Sequence, residues 1–135
     1  MRHWLLKSEP DVYSWSDLVR DGETVWDGVR NAQAALNLKA MEVGDLAFFY
    51  HSNEGREAVG IARISGPAFP DPGDPSGRWV AVRVMPVEPL PRPVTLAEMK
   101  ESPALAGFQL IRQSRLSVVP VTPGEWATIE AMARA

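Results

Sequence analysis

Four short polar clusters stand at the ends of apolar runs: Lys7-Ser8-Glu9-Pro10, Trp26-Asp27-Gly28-Val29-Arg30-Asn31, Tyr50-His51-Ser52 and Arg112-Gln113-Ser114-Arg115. Each joins planar or hydroxyl hydrogen-bonding groups to an aromatic ring or a strand end. Gathered by a fold, they would make a concave pocket with stacking walls and a few fixed donors and acceptors. Such a pocket suits a single flat heterocycle, whose face is held by aromatic rings while Asn, Ser or backbone groups read its edge. The same spacing also fits plain packing, with Trp26 in the core, Asp27-Gly28 a turn, and Arg112 and Arg115 solvated.

Covalent and metal chemistry have little raw material. There is no G-x-S-x-G elbow, no Gly-rich phosphate loop and no paired-histidine helix. Cysteine is absent and histidine occurs only at positions 3 and 51. That excludes thiolate metal sites, disulfides and cysteine nucleophiles, and no metal or cofactor is expected. His51, beside Tyr50 and Ser52, has an unperturbed pKa near neutrality. Paired with Glu9 it would serve an enzyme acting on a nucleotide or small heterocycle, the main catalytic alternative. Ser8, Ser52 and Ser114 each lack an evident activating base.

The elements that must position these clusters are short. His3–Lys7 reads as a buried strand. Ser14 and Asp17 form a capping box for a helix to Arg20, stopped by Asp21-Gly22. Thr24–Trp26 is extended. Asn31 caps a helix over Ala32–Glu42, with Ala32, Ala35, Leu36 and Met41 on its buried side and Gly44 at its end. Leu46–His51 and Ala58–Ile64 form a hairpin, with Gly60 a bulge or a place of close backbone approach. Residues 66–77 read as a loop, Trp79–Val87 as a strand broken by Pro86, Pro89, Pro91 and Pro93. Thr95 and Glu98 open a short helix, Leu116–Val121 is a further strand, and Thr122-Pro123-Gly124-Glu125 starts a last helix with Trp126, Ile129 and Met132 inward. Strands without regular helix alternation argue against a doubly wound sheet and for an α+β fold, a curled mixed sheet or small barrel of five to six strands with helices outside.

The 135 residues suit one domain, 1–135, with 45% hydrophobic and 23% charged residues. The opening MRHWLLKSEP is too short an apolar run for a signal peptide, and no stretch approaches a membrane span, so a cytoplasmic protein without membrane contact is expected. Net charge is −3, which argues against a broad basic face for polynucleotide. Yet 11 of the 14 cations are Arg, the residue suited to planar bidentate contacts.

The chain resembles the EVE domain family, small PUA-like proteins related in fold to YTH domains. The resemblance is carried in order by W-L-L-K-S-E-P (4–10), W-D-G-V-R-N (26–31), G-D-L-A-F-F-Y-H-S (44–52), V-G-I-A (59–62), P-V-T-L (93–96), R-Q-S-R-L-S-V-V-P-V (112–121) and a closing E-W (125–126). It implies a PUA-like bent mixed β-barrel and a binding module, not an enzyme. The implied ligand is a modified base, flipped or single-stranded, in DNA or RNA: methylated or hydroxymethylated cytosine, or N-methyladenine as in the YTH relatives. It implies a base pocket of Lys7, Ser8, Glu9, Trp26, Asn31, Tyr50, His51 and Ser52, with Arg30, Arg112, Gln113 and Ser114 on the base edge or backbone. Within it Trp26 would stack, and Ser8 and Asn31 would bond the edge. Ala35 departs from the family pattern, standing where Arg is usual and removing a cation from that helix's outer turn. A protein-interaction module, suggested by the Pro-rich 86–93 stretch, is the other alternative.

Overall fold

The computed structural model describes residues 1–135. Its strands are β1 (His3–Ser8), β2 (Thr24–Trp26), β3 (Leu46–His51), β4 (Glu57–Pro70), β5 (Val80–Thr95) and β6 (Val118–Val121). Its helices are α1 (Trp15–Asp21), α2 (Ala32–Ala40), α3 (Leu96–Glu101), α4 (Gln109–Arg112) and α5 (Pro123–Arg134), with a 3-10 turn at Pro103–Leu105. The six strands form one mixed sheet in the order β2-β5-β4-β3-β1-β6, in which β1 runs parallel to β3 and the other pairs are antiparallel. The architecture is the expected α+β, PUA-like one, with the sheet left open between β2 and β6.

The apolar runs at the centre of the sheet are buried on both faces. Trp4, Leu5 and Leu6 of β1 and Ala47–Tyr50 of β3 are all at most 3% exposed. Alternation along β3 divides the work. Phe48 stacks on Trp126 of α5 at 3.8 Å, while Phe49, on the opposite face, meets Trp15 of α1 and Trp26 of β2 edge-to-face at 5.6 and 5.5 Å. The Phe49 face carries the aromatic wall of the main cavity. Capping boxes at Ser14, Thr95 and Thr122 and an Asn31 cap start four of the helices where their local sequences dictate.

Several expectations are revised. Residues 66–70, read as loop, continue β4, and only Asp71–Trp79 turns the chain. The prolines at 86, 89, 91 and 93 do not end β5: β2 covers it only at 82–84, so its other stretches form a sheet edge where a missing N–H costs no ladder bond. Their mark is the succession of register shifts against β4. On α2 the buried residues are Ala34, Ala35, Asn37 and Leu38, while Leu36 is 58% exposed and Ala32 also faces solvent. Asn37 takes an inward place because its amide donates to the Val118 carbonyl at 2.8 Å. Gly44 (φ +97°) serves a turn into β3, since α2 already ends at Met41. β6 begins at Val118, later than expected, and Ala133 replaces Met132 among the fully buried residues of α5.

Candidate nucleic-acid interface

A cavity of about 760 Å3 opens where β1 and β2 end and the chain enters α2. That is within the range of small-molecule sites. Of the polar clusters it takes Lys7, Ser8, Trp26, Arg30 and Asn31, and adds Val12 and Tyr13 from the β1–α1 loop and Arg83 from β5. Trp26 is 9% exposed, backed edge-to-face by Phe49 and, at 6.5 Å, by Tyr13. It therefore supplies a strip of indole to the wall and not a free face. The Ser8 hydroxyl donates to the Tyr13 carbonyl at 2.6 Å and keeps its lone pairs as acceptors. Asn31 Oδ1 accepts from the Ala34 N–H at 2.9 Å, which caps α2 and leaves the amide NH2 as the free donor. Lys7 Nζ donates to the Ser114 carbonyl at 2.9 Å, tying β1 to the Arg112–Arg115 segment, and burial lowers its pKa.

The rim is fixed by a residue the sequence did not single out. Asp71 has a side chain 1% exposed and lies at the base of the β4–β5 turn. Its Oδ2 accepts from the Gly28 N–H and from Arg30 Nη1, each at 2.9 Å, and its Oδ1 accepts from the Gly73 N–H at 2.7 Å. These donors, the Arg30 guanidinium foremost, hold its carboxyl below the usual range. The P-D-P-G context signals a turn and nothing more, because the partners lie more than 40 residues away. Gly28, at φ +78°, takes a left-handed conformation that favours glycine.

The remaining cluster residues do not enter this cavity. Tyr50 and His51 are successive on β3, so the pleat sends them to opposite faces. Tyr50 lines, with Glu9 and Ser52, a neighbouring cleft of about 560 Å3, and burial pushes its hydroxyl up to about 12. His51 lies behind the wall: its Nε2 accepts from the Trp15 N–H at 3.1 Å, and burial lowers its pKa, so it is a neutral acceptor. Arg112, Gln113 and Ser114 border a third concavity of about 320 Å3 that shares Asn31 with the main cavity. Lys7 and Ser117 are common to the cavity and the cleft, and Ser114 and Arg115 to the cleft and the third concavity, so the three converge around the Ser114–Ser117 segment.

Charge is concentrated there. Lys7, Arg30, Arg56, Arg83, Lys100, Arg112 and Arg115 line the three concavities, against Glu9, Glu23 and Asp27. Half of the protein's 14 cations thus line these linked concavities with three of its 17 carboxylates, Arg30 being paired with Asp71 and Arg83 with Glu23. The acidic total thus hides a local concentration of cations. Ala35, 5% exposed, faces inward and not onto an outer turn, and these cations come from other elements.

The EVE domain family model matches residues 2–132. This chain belongs to the EVE domain family. Human thymocyte nuclear protein 1 is 35% identical to it over 158 residues, covering 92% of this chain and 70% of that protein. An NMR structure of a Rhodopseudomonas palustris protein superposes with a TM-score of 0.95 at 50% identity, over 99% of this chain and 94% of that one. The human THYN1 protein in complex with 5-methylcytosine-containing DNA superposes with a TM-score of 0.94 at 33% identity, over 100% and 99% of the two chains. No helix of this EVE domain is long and apolar enough to cross a membrane.

Proposed function

We propose that this EVE domain binds nucleic acid carrying a modified base, 5-methylcytosine in DNA being the first candidate, with the base in the 760 Å3 cavity and the strand along the flanking concavities. The observation that carries the reading is an aromatic-backed cavity within a local concentration of cations in a protein of net charge −3. Phosphate attraction supplies affinity there, while the cavity supplies selection. The human relative's complex with 5-methylcytosine-containing DNA, at 33% identity over the whole chain, favours modified cytosine over N-methyladenine.

Trp26 and Tyr13 wall the base. The Ser8 oxygen and the Asn31 amide meet its edge, and Glu23 and Asp27 offer carboxylates to an exocyclic amine. Arg112, Gln113 and Ser114 lie where the neighbouring backbone would pass, and Glu9, Tyr50 and Ser52 line the cleft beyond Lys7. His51 contributes from behind, by holding Trp15. A binding role without catalysis is supported by that placement, since the only histidine beside a cluster has its Nε2 engaged by the backbone.

The test is a titration with short single- and double-stranded DNA and RNA carrying cytosine, 5-methylcytosine, 5-hydroxymethylcytosine or N-methyladenine, at two salt concentrations. Preference for a modified-cytosine oligonucleotide, preserved as salt rises, is the expected result. Equal affinity for all of them, falling steeply with salt, would leave only phosphate attraction and sink the reading. Release of a product from any of these substrates would restore the catalytic alternative.

A further inference from the structure

Beyond Asp71, the β4–β5 turn (Asp71–Trp79) lies outside the polar clusters, and it carries its own network of hydrogen bonds. Asp74 Oδ1 accepts from the Ser76 N–H and hydroxyl at 2.9 and 2.6 Å, and its Oδ2 accepts from the Trp79 N–H at 2.8 Å. The Asp71 N–H donates to the Trp79 carbonyl at 2.9 Å, closing the turn at its base. Both carboxylates are spent on the turn itself and on the Asp71 bonds to Gly28 and Arg30. Turn and rim are therefore one unit.

On this unit Trp79 packs against two guanidinium groups. Arg78 lies 4.5 Å from the centre of its ring and Arg30, which lines the cavity, 5.9 Å. Cation–π contact fixes the planes of both without consuming their N–H donors. Arg78 is thus an exposed arginine stacked on tryptophan, at the foot of a turn anchored to the cavity rim, and its guanidinium is free of ion pairs. Arginine held in this way is suited to bidentate contact with phosphate.

We propose that the Arg78–Trp79 pair, at the foot of the β4–β5 turn, is a second nucleic-acid contact, gripping a phosphate of the strand that flanks the base held in the cavity. The proposal rests on the modified-base reading above and extends the interface from Arg30 on the cavity rim to the β4–β5 turn. Its logic is positional: the pair carries no selectivity of its own, and Asp71, bonded to Trp79, keeps it in register with Gly28 and Arg30.

Arg78→Gln removes the charge from an exposed side chain and keeps a polar group there. Binding of 5-methylcytosine-containing and unmodified DNA oligonucleotides by parent and variant would be measured across a series of salt concentrations. The variant is expected to bind both oligonucleotides about three- to tenfold more weakly at low salt, and to lower the slope of log affinity against log salt by about one. The ratio of modified to unmodified affinity should stay unchanged. Trp79→Leu, which removes the platform and leaves Arg78 in place, should reproduce part of the loss. A variant at position 78 with parental affinity and slope would overturn the proposal while leaving the base reading intact. A parent that binds both oligonucleotides alike would instead sink the base reading, and the slope difference would still decide the Arg78 contact. Failure of the parent to bind either one at low salt would overturn both.

Discussion

The indole of Trp15 lies so close over Gly60 that a Cβ on the glycine would stand 2.6 Å from three of its ring carbons. Trp15 in turn meets Phe49, which meets Trp26 at the cavity wall. A bare backbone on β4 thus allows the whole aromatic column to settle. Gly60→Ala should overpack this contact and cost about 1–3 kcal/mol. Thermal unfolding should register it as a drop of roughly 4–12 °C. An unchanged melting temperature would mean that the ring can give way at no cost.

The bond between His51 and the Trp15 backbone makes stability depend on pH. His51 accepts only as neutral imidazole, and its pKa is lowered from 6.5 by burial; His3, whose buried Nδ1 has no partner, is lowered for the same first reason. Between the lowered folded values and 6.5 the unfolded chain binds more protons, so stability is full above that window and falls as pH falls through it. Denaturant midpoints from pH 8 to pH 5 should show the decline. His51→Gln, whose amide oxygen can accept the same bond, should remove the His51 share of it. A variant with the parental slope would relocate the effect to His3.

Asp71 holds the rim from inside, and its removal should be felt by the cavity as well as by the fold. Asp71→Asn gives up one of two acceptor oxygens and sets an NH2 against donors. It should cost about 1–3 kcal/mol. Hydrogen exchange at the Gly28 amide reads the local consequence: faster exchange with the rest of the sheet protected is expected. Uniform acceleration throughout the protein would show a merely global loss.

Trp26 is too buried for alanine to be informative, because truncating a core tryptophan costs about 3–5 kcal/mol of stability. Trp26→Phe keeps an aromatic wall and removes the larger ring. Trp26 shows the cavity only a strip of indole, so affinity for a modified-cytosine oligonucleotide should fall by no more than the low end of the about 1–3 kcal/mol that full base–aromatic stacking is worth. Unmodified affinity, governed by phosphate contacts, should change little. Identical discrimination by the variant would remove Trp26 from the role of wall.

Local chemistry is what the sequence determined. The caps at Ser14, Asn31, Thr95 and Thr122 act over three residues, so their helices start where the sequence places them. The apolar runs of β1 and β3 declare themselves by residue type, Gly60 by its position within a strand, and family membership by ordered motifs. Tertiary structure decided what depends on contacts across the chain. Prolines survive in β5 because most of it is an edge, a property of the sheet and not of the strand. Tyr50 and His51, adjacent in sequence, part company because the pleat turns successive side chains to opposite faces. Asp71 became the anchor of the cavity rim through partners 41 and 43 residues away. The concentration of cations likewise exists only once strands and loops from positions 7 to 115 are brought together, since net charge sums over a surface whose arrangement the fold alone creates.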